Sequence, residues 1–372
     1  MERERTSPMG PVGDNGRVLR ARRSALPRAL AVACGLAVAA TVVGTRAAWS
    51  TTISATASVA APARGATTLL GTAAPRLLYP LPAAPVRPEP CPPPPTPPGP
   101  PAPPLGPPQV REDAIPLVGA PPPRHVDLSA VSGKGIWLTL WPGSPLNVNR
   151  VIATAHAAGL RQLWVRTGSS PDGFYGATTL EALIPAAHAA GIAVIAWDFP
   201  SLSNPAADAT RAAVALRAGA DGFAADIESA AEGTYLTARR AAYYLSRVRA
   251  AAGDKPVVAV VPRPTSYWLA TYPYTAEGPF VDVFAPMVYW SCTEPGAAVS
   301  SAIAALARMR PVAPIGQDYN MASEGGRHGL PSGRAIWRFL DVAHQAGAIG
   351  ASLYDLEAGG RPQLAALGGY PW

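Results

Sequence analysis

The chain holds little of what metal and redox chemistry uses. Three cysteines and five histidines are spread over 372 residues, with no CxxC pair and no close Cys/His cluster. That leaves neither a structural zinc site nor a disulfide framework, and no cofactor is expected. One bridge, Cys91 to Cys292, stays open for an exported chain. Charged residues make up only 15% of the sequence, and no Lys/Arg stripe interleaves with aromatics. The formal charge of +7 therefore does not point to nucleic acid. Part of it is Arg20, Arg22, Arg23 and Arg28, which stand just before an apolar run and read as an export or topology signal.

That run, Ala29 to Gly44, is sixteen residues long, which is long for the core of a signal peptide and short for a membrane span. Two readings follow: cleavage after a small-x-small site such as Ala55-Thr56-Ala57 or Ser58-Val59-Ala60, or retention as an N-terminal anchor. Both place the remainder outside the cytoplasm, secreted or membrane-anchored. Cys34, after Ala31-Val32-Ala33, gives a weaker lipobox-like alternative.

Proline, by contrast, is abundant: 44 residues, crowded between Pro80 and Pro123. Proline fixes φ and lacks the amide donor, so this stretch cannot build ladders and favours polyproline II. At about 3.1 Å per residue it could reach roughly 140 Å, enough for a stalk; a linker whose length has no function is the other reading. The sequence thus divides into a basic tail (1–28), an export or anchor segment (29–44), a disordered Ala/Pro-rich linker (45–123) and a periodic domain (124–372).

In the periodic domain, apolar strand patterns alternate with alanine-rich helical ones. The expected strands are Lys134–Trp141, Leu160–Gly168, Ile192–Phe199, Ala220–Glu228, Pro256–Arg263, Val281–Trp290, Pro311–Asp318 and Ala348–Glu357. Three helices end alike, at Ala155–Gly159, Ala187–Gly191 and Ala343–Gly347, where glycine takes the left-handed closing position. This rhythm predicts parallel βα units, and the length suits one (β/α)8 TIM barrel. His156, His188 and His344 fall in last helical turns and are expected to face outward. The fifth unit breaks the rhythm: Pro262, Pro264 and Tyr267, Trp268, Tyr272 and Tyr274 predict a long loop with at most a short helix.

Active sites of this fold lie at the C-terminal strand ends. There the sequence gathers Arg166, Asp198, Asp226, Glu228, Arg263, Gln317, Asp318, Tyr354, Asp355 and Glu357. Strand side chains alternate, so Asp226 and Glu228 share one face. Placing Phe223, Ala225 and Ile227 against the helices turns Gly222, Ala224, Asp226 and Glu228 into the lumen. Two carboxylates so close can separate their protonation, one ionised and one proton-bearing, as glycosidic cleavage requires.

Asp221-Gly222-Phe223-Ala224-Ala225-Asp226-Ile227-Glu228 resembles the fourth-strand signature of family 18 glycoside hydrolases, the chitinase-like barrels. The resemblance implies that Glu228 is the general acid and that Asp226 orients a substrate N-acetyl group. Met287-Val288-Tyr289 is similar to the family's Met-x-Tyr segment and implies that Tyr289 contacts the N-acetyl oxygen. The sequence departs from the pattern where Ala224 replaces the innermost Asp and Trp290 follows Tyr289. Tyr354 stands near where a tryptophan usually floors the sugar subsite, and Asp198 is a candidate to offset the missing Asp. Family 25 lysozyme-like barrels also carry an Asp-x-Glu pair, but the Gly-Ile-Asp start of their first strand reads Gly135-Ile136-Trp137 here.

The expected activity is that of an exported glycoside hydrolase acting, as a monomer, on a cell-wall polysaccharide or peptidoglycan-like glycan of the cell envelope. Catalysis would fall to Glu228, Asp226 and Tyr289. Substrate binding would fall to Asp198, Arg166, Trp141, Trp290, Gln317, Tyr354 and Asp355. Glycosyl transfer to a sugar hydroxyl is a variant of this reading. A catalytically inactive carbohydrate-binding barrel is the alternative, and Ala224 and Trp290 are the residues that favour it.

Overall fold

The computed structural model describes residues 105–372 apart from Gly325. The chain divides into two units, residues 1–70 and 71–372, and the described residues all belong to the second. The basic tail, the apolar segment, Cys34, Cys91 and most of the linker lie outside the described residues.

In chain order the strands are β1 Gly133–Leu138, β2 Gln162–Ser169, β3 Gly173–Phe174, β4 Ala193–Phe199, β5 Gly222–Asp226, β6 Val257–Pro262, β7 Val283–Val288, β8 Ile315–Gln317 and β9 Gly350–Tyr354. The helices are α1 Val148–Ala157, α2 Ala177–Ala189, α3 Pro205–Arg217, α4 Ala238–Ala252, α5 Ser266–Thr271, α6 Tyr274–Glu277, α7 Pro295–Leu306, α8 Gly333–Gln345 and α9 Arg361–Gly369. The strands run β1-β9-β8-β7-β6-β5-β4-β2, and pairing of β1 with β2 closes the ring. All eight of these pairings are parallel, and β3 adds a short antiparallel hairpin to β2. This is the (β/α)8 barrel that the sequence rhythm predicts.

Local sequence sets the helix ends. Asn147, Asn204, Thr237 and Ser332 each accept a hydrogen bond from the backbone N–H three residues on, which satisfies a donor the helix leaves free. Gly159, Gly191 and Gly347 hold φ of +60°, +69° and +83° after α1, α2 and α8. His156, His188 and His344 occupy the last turns and are exposed, as expected. The fifth unit has no long helix, as expected, but carries two short ones, α5 and α6, where at most one was expected.

Two apolar layers follow from strand alternation. Phe223, Ala225 and Ile227 pack outward into the large core between sheet and helices. Inside the ring lies a second core of Val131, Trp137, Trp164, Ile195, Trp197, Ala224, Val258 and their neighbours. Trp137 and Trp164 stack there at 4.9 Å, and Trp197 meets Trp137 edge-on at 5.4 Å. The lower lumen is therefore filled by large rings, where the Trp137 and Trp164 indole N–H groups donate to the buried Ser352 and Gln162 side chains, and the titratable pair lies at its open end.

The end of the expected linker is part of the folded unit. Backbone N–H groups of Gln109 and Val110 donate to the Ser203 side chain and carbonyl at 2.8 and 3.0 Å. Arg240, at the start of α4, is buried and donates to the carbonyls of Leu202 and Val110 at 2.8 and 2.6 Å. Its Nε also pairs with Glu112 at 2.7 Å. Ile115 is 1% exposed, which no free linker residue would be. From there residues 120–128 reach the N-terminal strand ends, where they line a groove with Phe280, Asp282 and Pro311. The strap thus runs from the rim at the C-terminal strand ends to the base of the barrel, and the packed domain begins ahead of residue 124. Proline content told where ladders are absent but not where an isoleucine and an arginine clamp would hold the chain down.

Candidate active site

The open end of the barrel holds a cavity of about 840 Å³ whose lining includes Asp226, Glu228, Tyr289, Tyr319, Tyr354, Trp137 and Trp268. Asp226 is the last residue of β5 and Glu228 lies two residues on, both on the lumen side, in the phase read from the sequence. Their placement has a simple cause. Phe223, Ala225 and Ile227 are 0% exposed on the opposite face, so the alternating positions must turn inward.

Both carboxyls titrate above the ordinary carboxylate range. Burial is the main cause for each; for Glu228 the charges of Asp226 and then Glu232 add to it, whereas Arg166 partly offsets the rise at Asp226. The Oδ1 of Asp226 is enclosed with no hydrogen-bond partner. At neutral pH the pair therefore keeps protons that isolated carboxyls would lose, and Glu228 is the member pushed further.

Three tyrosines wall the pair. Tyr289 meets Tyr319 edge-on at 5.4 Å and Tyr354 at 6.1 Å, and the Tyr319 hydroxyl donates to Glu324 at 2.9 Å. Burial holds the Tyr289 phenol far above its usual pKa, so it keeps its proton. Arg166, within β2, lies 4.0 Å over the ring of the half-exposed Trp141 and 5.3 Å from that of Trp197.

Neither Arg166 nor Trp141 lines the cavity, and of the residues read as substrate-binding only Tyr354 does; the others fall elsewhere. Asp198 alternates with Trp197 and so faces the helices, where it is 1% exposed and paired with Arg211 of α3 at 2.7 Å. Arg211 also binds Asp208 at 2.9 Å, so Asp198 belongs to a network outside the lumen and cannot stand in for an acid at position 224. Trp290 likewise follows the lumen-facing Tyr289 and turns outward, 5.4 Å from Phe339 of α8. Gln317 is buried, accepting from the Ser291 N–H and donating to the Tyr319 carbonyl. Asp355 accepts from Thr139 and from the Ala358 N–H, bracing the loop after β9. Neither Gln317 nor Asp355 lines the cavity.

Sequence reasoning passed over Trp137, Glu232, Tyr319 and Glu324, which do line it. Trp137 was open to inference, since Ile136 and Leu138 alternate outward in β1. The other three sit on loops after β5 and β8, where no periodicity applies. Cys292 is disulfide-bonded, and Cys91, the partner that the sequence left open, lies outside the described residues. Among the described residues no cluster of three or more His, Cys, Asp or Glu could hold a metal ion, and no helix is long and apolar enough to cross a membrane.

No protein-family model matches the chain, and no curated protein matches it. Among solved structures it is similar to a chitinase from Chromobacterium violaceum ATCC 12472, at 14% identity and TM-score 0.49, over 63% of this chain and 98% of that one. It is also similar to the GH18 chitinase ChiB of Flavobacterium johnsoniae, at 14% identity and TM-score 0.46, over 64% and 93%. A third is the spore cortex-lytic enzyme SleL of Bacillus megaterium QM B1551, at 11% identity and TM-score 0.47, over 64% and 73%.

Proposed function

We propose that this chain is an exported glycoside hydrolase acting on a cell-wall or N-acetylated polysaccharide, with Glu228 as general acid and Asp226 as its partner. The observation that carries the reading is the pair itself. Two carboxyls two residues apart stand at the open end of a barrel, in a ring-walled cavity large enough for sugar units, with protonation raised by burial. Aromatic faces suit the apolar faces of pyranose rings, and the raised Glu228 carboxyl keeps a proton to give.

In this reading Glu228 protonates the glycosidic oxygen as the bond from C1 to that oxygen breaks. Positive charge grows at C1, and Asp226 either stabilises it or, as the resemblance to family 18 implies, accepts the acetamido N–H so that the acetamido oxygen attacks C1. Tyr289 donates to that oxygen. The ionised Glu228 then takes a proton from the incoming water, whose oxygen bonds to C1 as the bond from C1 to the acetamido oxygen, where one formed, breaks, and the starting state returns. A sugar hydroxyl in place of water would give transfer. The apolar run Ala29 to Gly44 supports an extracytoplasmic place, secreted or anchored.

A second reading, a carbohydrate-binding barrel without turnover, has one observation in its favour. Ala224, directly below Asp226 on the lumen face, is 0% exposed among tryptophans, so no acid supports Asp226 from beneath. Incubating the full chain with peptidoglycan, chitin and other wall glycans separates the two. New reducing ends support hydrolysis, and binding to any of them without new reducing ends supports the silent barrel.

A further inference from the structure

Arg166 and Arg263 both stand toward the open end of the barrel, and their surroundings differ. Arg166 is 8% exposed, covered by Trp141, and its charge bears on Asp226 and Asp198. It is occupied in balancing acids. Arg263, the first residue beyond β6, lines the cavity itself beside Thr265 and Trp268.

Arg263 is half-buried and has no ion pair among the described residues. Among the described residues its guanidinium makes one hydrogen bond, to the Thr293 hydroxyl, and that bond is long at 3.4 Å. Burial alone acts on it and lowers its pKa, with no carboxylate offsetting the loss of water. Glu232 and Glu324 line the same cavity but lie beyond ion-pair reach of it, and Glu324 already accepts from Tyr319. A guanidinium drawn partly out of water keeps its donors and its charge, and a carboxylate matches both through paired N–H···O bonds.

We propose that Arg263 is an anion subsite, which makes the substrate a glycan bearing a carboxylate on a sugar unit rather than a neutral polymer. The inference rests on the glycoside hydrolase reading and narrows it. An ether-linked lactyl group and a ring uronate offer the same chemistry at this point. Trp268 beside Arg263 gives the ring of that unit a face to lie against, while Glu228 and Asp226 stand in the same cavity.

The test is binding to the full chain carrying Glu228→Gln, which holds glycan without cleaving it. The probes are a peptidoglycan saccharide with free lactyl carboxylates, its carboxyl-reduced counterpart, a hexuronate oligosaccharide and a chitin oligomer of equal length. The expected result is tighter binding of one acidic saccharide than of the neutral probes. That preference should weaken with salt and fall on the order of tenfold in Arg263→Gln, with neutral binding unchanged. Which acidic probe is preferred identifies the source of the carboxylate. Equal affinity for acidic and neutral probes, or an Arg263→Gln loss shared equally by all four, overturns the proposal. If the acidic preference holds and the wild type releases no reducing ends from any probe, the anion subsite stands and the hydrolase reading fails.

Discussion

The hydroxyl of Tyr272 donates to the carbonyl of Ile227 at 2.9 Å, and Ile227 is the residue between Asp226 and Glu228. Tyr272 is 4% exposed and packs 4.6 Å from Tyr274, so a side chain from the irregular fifth unit fixes the backbone that aims both acids. Tyr272→Phe keeps the ring and removes this bond. Stability should fall by about 1 kcal/mol. The rate constant kcat should fall roughly tenfold or more, because a displaced acid loses alignment before it loses binding. Steady-state kinetics with KM nearly unchanged would support the positioning role, and an unchanged kcat would refute it.

Ala224 occupies the site where an acid would sit beneath Asp226 if the family 18 resemblance extended to it. It is packed inside a core that holds Trp137, Trp164 and Trp197. Ala224→Asp therefore buries a carboxyl among rings and should cost at least about 2–3 kcal/mol of stability without raising turnover. Denaturant midpoints and reducing-end assays on the variant check both halves. Increased turnover at intact stability would mean the lumen has room for the acid.

Arg240 ties the strap to the barrel through the Val110 and Leu202 carbonyls and Glu112. Arg240→Ala should destabilise by roughly 2–3 kcal/mol, since it strands buried acceptors as well as removing charge-assisted bonds. Removing residues 1–118 should also lower the melting transition. Thermal unfolding of both variants at the wild-type midpoint would show that the strap is only draped on the surface.

Glu277 is 0% exposed at the end of α6, and burial pushes its pKa up to about 8. Its unfolded value is near that of a free glutamate, about 4.3. Between these two values the folded state holds one more proton than the unfolded, so stability falls as pH rises from about 4.3 toward 8, at up to about 1.4 kcal/mol per pH unit. Glu277→Gln removes this term, and its curve of stability against pH should be flatter than the wild type's across that window. Parallel curves from denaturation at several pH values would contradict it.

The fold was legible because it repeats. Helix closures at Gly159, Gly191 and Gly347 and the alternation around Phe223, Ala225 and Ile227 recur with fixed spacing, and spacing is what a sequence displays. The same alternation placed Asp226 and Glu228. It also rules out a lumen position for Asp198 and Trp290, next to Trp197 and Tyr289, since strand phase decides where chemical suitability does not. Tyr319, Glu324 and the contact of Tyr272 with Ile227 arise from loops, whose course depends on what they pack against. The strap was hidden for the same reason: Arg240 and Val110 are 130 residues apart.

Glycosidic cleavage here would depend on the proton of Glu228, and Glu228→Gln tests that dependence most directly. The substitution keeps size and much hydrogen bonding but leaves no transferable proton. Reducing-end release from the preferred glycan should fall on the order of 10²–10⁴-fold while binding of the same glycan persists. In the wild type the alkaline limb of kcat should lie above the range of an ordinary glutamate, as its burial and the charge of Asp226 require. Wild-type turnover retained in Glu228→Gln would contradict the central claim.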